Sequence, residues 1–102
     1  MVGKEVLKQW LVEALSELGG SAHHVRIAER IWAVHEGELR AAGDLFYTWQ
    51  YDLRWAAQLL RNEGYLQKID GRSKGIWNLT EAGRMSSSVS ATEAIHIEGH
   101  VE

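Results

Sequence analysis

The chain has no cysteine and no proline among its 102 residues. Without cysteine there is no disulfide and no thiolate zinc site, and the compartment is left to its default, the cytoplasm. Without proline, no peptide bond is a strong candidate for a cis switch. Long apolar runs are missing too. No stretch is long enough to cross a bilayer, and the opening MVGKEVLKQWLVEAL carries charges every few residues where a signal segment has an uninterrupted apolar core. No membrane partner is expected. An excess of positive charge is also lacking, since the formal net charge is −3, which on its own argues against a nucleic-acid binder.

What is present argues the other way. Hydrophobic residues make up 45% of the chain and charged ones 25%, the balance of an ordinary globular domain of this length. The charge is unevenly placed. Residues 1–48 hold five basic and seven acidic side chains, and residues 76–102 one and four. Between them, residues 49–75 hold five basic (Arg54, Arg61, Lys68, Arg72, Lys74) against three acidic. A local basic patch, not the total, decides whether phosphates are attracted.

Apolar periodicity divides the chain. Val6, Leu7, Trp10, Leu11, Ala14, Leu15 and Leu18 recur at helical steps and stop at Gly19-Gly20. SAHHV reads as a short extended piece. Ile27, Ala28, Ile31 and Trp32 mark a second helix that fades between Gly37 and Ala42. A third is expected from about Thr48 to Asn62, ended by Gly64. At 100° per residue its apolar arc (Leu53, Ala56, Leu59, Leu60) faces the core, with Asp52 at the edge in the first turn, suited to the helix dipole. Gln50, Arg54, Gln58 and Arg61 share the opposite arc, which carries no acid to pair with them. Such side chains read base edges: arginine pairs with guanine O6 and N7, glutamine with adenine N6 and N7.

Two strand-like runs, Tyr65–Ile69 and Ile76–Leu79, flank DGRSKG, whose Asp-Gly and closing glycine signal a hairpin. Lys68, Arg72, Ser73 and Lys74 are its candidate phosphate contacts. TEAGR reads as a capped helical turn at Thr80, and residues 86–102 as a polar, acidic tail or linker stub after a domain spanning 1–85. Trp10, Trp32 and Trp77 sit in apolar periods and belong to the core, leaving Trp49 and Trp55 as candidate stacking or interface residues. His23 and His24 point apart on an extended piece, and His96 and His100 lack a second ligand motif, so no metal is expected. No cofactor and no catalytic constellation is recognised.

Helix, extended piece, helix, helix, strand, basic turn, strand is the order of a winged helix-turn-helix domain, an α+β and mainly helical fold of three helices with a two-stranded β-hairpin wing. Arg54-Trp55-Ala56, Leu59-Leu60, Gly64-Tyr65-Leu66, Gly75-Ile76-Trp77 and Leu79-Thr80-Glu81-Ala82-Gly83 also occur in one order along residues 54–84. In this the chain resembles the N-terminal winged-helix domain of Mrr-type restriction endonucleases, and ALSELGGSA is similar to that family's first helix and turn. Residues 35–47 have no counterpart in the pattern. The resemblance implies a double-stranded DNA-binding module of a bacterial or phage restriction or defence system, and makes a base modification a target to test. It implies a nuclease domain or subunit as partner. The family's cleavage motif, an acidic pair with a spaced lysine, is not found, so this chain is expected to be no enzyme. With so few phosphate contacts, useful affinity calls for a homodimer, a tethered domain or a modified base. The alternative is a winged helix used for protein–protein interaction or dimerisation without DNA contact, burying the Trp49 and Trp55 side of the third helix.

Overall fold

The structure, a computed structural model, describes residues 3–69, 71, 72 and 74–85. Helix α1 (Val6–Glu17) presents Leu7, Trp10, Leu11, Ala14 and Leu15 to the interior. It closes through Gly19 and Gly20 at φ 96° and 93°, where Gly20 N–H donates to Leu15 O at 2.8 Å. Only glycine holds such angles without strain. Strand β1 (Ser21–His23) follows and leads directly into α2 (His24–Arg40). The His23 side chain caps that helix, its Nδ1 accepting from Val25 N–H at 3.1 Å.

Helix α2 is interrupted at His35, whose φ of −121° and ψ of 21° are not helical. The bend lays the His35 ring flat on Trp10, with centroids 3.8 Å apart and planes 8° apart. The fading periodicity past Gly37 is therefore a bent continuation that delivers Leu39, fully buried, and Ala42 to the core. Helix α3 (Leu45–Asn62) starts three residues earlier than its sequence pattern suggests. Asp52 consequently lies beyond the first turn, where it accepts a hydrogen bond from Thr48 Oγ1 at 2.7 Å and does not serve the helix dipole.

Strand β2 (Ile76–Asn78) pairs antiparallel with β1, in the register Ser21 with Asn78, Ala22 with Trp77 and His23 with Ile76. The expected hairpin is reduced to a single bridge between Leu66 and Leu79, supported by Gln67 N–H to Asn78 O at 2.9 Å. Burial explains the change. Leu66 and Leu79 are both buried at 2% exposure, whereas Lys68 and Ile69 turn outward and leave the sheet. Residues 81–85 form a last helical turn, α4, capped by Thr80. The chain is thus mainly helical with one two-stranded antiparallel sheet, around a core drawn from α1, α2, α3 and both arms of the hairpin.

Candidate nucleic-acid interface

The buried face of α3 consists of Leu45, Trp49, Leu53, Ala56, Ala57 and Leu60. Its outward face is therefore fixed. Gln50, Arg54 and Gln58 are exposed there, as expected. Two residues that sequence reading passed over join them: Tyr47 is 83% exposed and Tyr51 76%. At i, i+4, i+7 and i+11, Tyr47, Tyr51, Arg54 and Gln58 form one continuous stripe. The early start of the helix is what puts Tyr47 in its first turn.

The structure treats the other candidates differently. Arg61, in line with Arg54, is half-buried, and its guanidinium lies over Trp77, 5.3 Å from a ring centroid. Trp49 is not a free platform: it is buried at 5% exposure and stacks against Trp32 with centroids 6.2 Å apart. Its position on the helix, between Leu53 and Ala56 in angle, puts it in the centre of the core face. Trp55 is half-buried, with the Lys4 ammonium 4.4 Å from its ring centroid. On the hairpin, Lys68, Arg72 and Lys74 are all exposed. Lys74 takes a left-handed backbone angle, φ 48°, next to Gly75 at 83°. This pair turns the chain into β2, and Gly75 O accepts from His24 N–H at 2.9 Å. Ser73, the acidic tail, and His96 and His100 lie outside the described residues.

Ion pairing leaves several cations on this side unengaged. Among the described residues, the ion pairs are Lys8–Glu63, Arg26–Glu29, Arg30–Glu17 and Arg40–Glu36, at 2.7 to 2.9 Å, and His35 Nδ1 is hydrogen-bonded to Glu38 at 2.6 Å. None of them engages Arg54, Arg61, Lys68 or Lys74. Exposed pairs contribute little to stability, but they neutralise charge locally, and they do so away from the outward face of α3.

Behind Arg54 an aromatic column joins the elements. The rings of His23 and His24 stack at 4.4 Å, and those of His24 and Trp77 at 5.6 Å. The histidines were expected to point apart. They stack because His23 ends the strand and His24 opens the helix, so the alternation of an extended chain does not reach His24. The His24 imidazole is held below its usual 6.5, first by burial and then by the charges of His23 and Arg54. Between α2 and the start of α3 lies an open cleft of about 430 Å³, walled by Trp32, Phe46 and Trp49, with Gln50 at its rim. No group of three or more His, Cys, Asp or Glu among the described residues is arranged to hold a metal ion, and none of their helices is long and apolar enough to cross a membrane. Compared with known proteins, the chain matches no protein-family profile, no curated protein and no solved structure.

Proposed function

We propose that the domain is a winged helix that binds double-stranded DNA, with α3 in the major groove and the hairpin turn along the phosphate backbone. Its role is target recognition in a restriction or defence system, as the resemblance of residues 54–84 implies, with cleavage left to another domain or subunit. The observation that carries this reading is that four cations on one helix and the adjoining hairpin, Arg54, Arg61, Lys68 and Lys74, form no ion pair among the described residues, a property that Lys4 and Arg84 share elsewhere. A protein surface with no polyanionic partner gains from mixing signs there. The order of elements supports it too, because β1 ties the hairpin's returning arm to the helices that flank α3. Gln50, Arg54 and Gln58 are the base-reading side chains, and Lys68, Arg72 and Lys74 the backbone contacts.

A second reading has its own observation. Tyr47, Tyr51 and the aromatic cleft beside Gln50 would also suit a protein partner, since tyrosine and tryptophan are enriched at interfaces. Salt separates the two. If Arg61, Lys68, Arg72 and Lys74 each release about one counterion, affinity for a labelled duplex falls roughly a hundredfold or more between about 50 and 200 mM salt. Anisotropy titrations of the native protein and of Arg54→Ala measure this directly. Steep salt dependence, with binding weakened or lost in Arg54→Ala, is the expected result. No duplex binding at the lower salt would refute the proposal and leave the protein-interface reading.

A further inference from the structure

At the base of the hairpin, the last two turns of α3 and the outgoing arm enclose a cleft of about 230 Å³. It is lined by Gln58, Arg61, Asn62, Lys68 and Ile69. Among the described residues, the lining holds two cations and no carboxylate. Arg61 is the informative member. Its Nε and Nη2 are enclosed and have no hydrogen-bond partner. The Trp77 ring attracts the guanidinium through its π face but offers no lone pair in the guanidinium plane. Enclosed, unpartnered N–H groups of a cation are costly, and burial lowers the Arg61 pKa accordingly. Lys68 is exposed and has no ion pair among the described residues. Gln58 Nε2 donates to Asn62 Oδ1 at 3.1 Å, which leaves the Asn62 amide N–H groups free of that bond and able to donate. Among the described residues, the cleft is rich in donors and has no charged acceptor.

We propose that this cleft is an oxyanion subsite that takes a phosphate group, held by the exposed Lys68 ammonium and Asn62 amide and by the Arg61 guanidinium, whose enclosed Nε and Nη2 turn into the cleft to reach it. The proposal rests on the DNA reading for its occupant, a backbone phosphodiester, although free phosphate offers the same chemistry. A guanidinium suits the role because its planar donors meet two phosphate oxygens at once, whereas an ammonium acts as a point charge. The end of α3 carries the negative pole of its dipole, so the two cations must outweigh it. Free phosphate is therefore held weakly, and a phosphodiester is held when the rest of the duplex docks. The subsite lies between the base-reading stripe and the hairpin tip, and it makes Arg61 a backbone contact and not a base reader.

The test follows the arginine Nε–Hε signals by NMR at low salt, while a short duplex and, separately, inorganic phosphate are added to the native protein. The same titrations are run on Lys68→Gln, which alters an exposed side chain and leaves the fold intact, and on Arg61→Lys. The duplex should move the Arg61 signal saturably. Lys68→Gln should weaken duplex binding about tenfold and lower the salt slope by about one. If the duplex binds and moves Arg54 but leaves Arg61 unmoved, the subsite is overturned and the DNA reading stands. If phosphate moves Arg61 while no duplex binds, the subsite stands for a free anion and the DNA reading falls. An Arg61 signal that responds to neither overturns the subsite outright.

Discussion

Replacing Thr80 by valine removes one oxygen and leaves the side chain's shape unchanged. That oxygen has two partners: Thr80 Oγ1 donates to Gly64 O at 2.6 Å and accepts from Gly83 N–H at 3.0 Å. It therefore joins the end of α3 to the start of α4, across the base of the hairpin. The two losses differ. Gly64 is exposed, so water can replace the donor to its carbonyl and the net loss is about 0.5–1 kcal/mol. Gly83 is buried, and its N–H would be stranded in addition to losing its helix cap, which costs about 1–2 kcal/mol. Together Thr80→Val should cost about 1.5–3 kcal/mol, or roughly 6–24 °C in Tm for a domain of this size. Thr80→Ser keeps the oxygen and should stay within about 1 kcal/mol of the native protein. Urea unfolding followed by tryptophan fluorescence reads both, since Trp77 lies buried next to this junction in the chain. A valine variant within about 0.5 kcal/mol of native, or a serine variant as damaged as the valine one, would refute the reasoning.

Gly83→Ala should destabilise by about 1–3 kcal/mol in the same assay, because a Cβ there overlaps the Tyr65 carbonyl oxygen and comes within 2.9 Å of Leu79 Cδ2. The double change Tyr47→Ala and Tyr51→Ala should leave stability within about 0.5 kcal/mol, both rings being exposed, yet weaken duplex binding in anisotropy titrations. The folded chain resists protonation of His24, while the unfolded chain accepts the proton near 6.5. The His24 contribution to stability is therefore complete above that value and is lost as pH falls from it towards the lowered folded pKa. Arg54→Gln should raise the His24 pKa by removing one of the charges that depress it, as an NMR titration of the ring proton would show.

The outline of α1, the glycine stop after it and the apolar arc of α3 were legible because local periodicity decides them. The same wheel that placed Arg54 outward also placed Trp49 between Leu53 and Ala56. It was misjudged by starting the helix at Thr48, which left its ring at an end where facing carries little meaning. That boundary also hid Tyr47 and so the stripe it opens. Nothing within residues 45–47 announces the start, since Asp44 makes no side-chain cap bond. The sheet was misread for a different reason. Local pattern pairs neighbouring runs, and the real partner of Trp77 is Ala22, a choice made by burial at long range. Likewise the His23–His24 stack depends on a strand turning into a helix between two adjacent residues, and the enclosure of Arg61 depends on Trp77 arriving beneath it.

The pairing of Ser21 with Asn78 joins positions separated by more than half the chain. Such a contact repays its loop-closure entropy only when the intervening helices have already shortened the path. The three long helices should then assemble first, with the sheet closing last and carrying the hairpin into place. Substitutions in β1 or β2 should in that case speed unfolding far more than they slow folding. A chain caught before closure would have α3 formed while Lys68 and Lys74 were still unplaced. On the proposed function, duplex binding would then appear in refolding later than the helical signal, as a separate kinetic event.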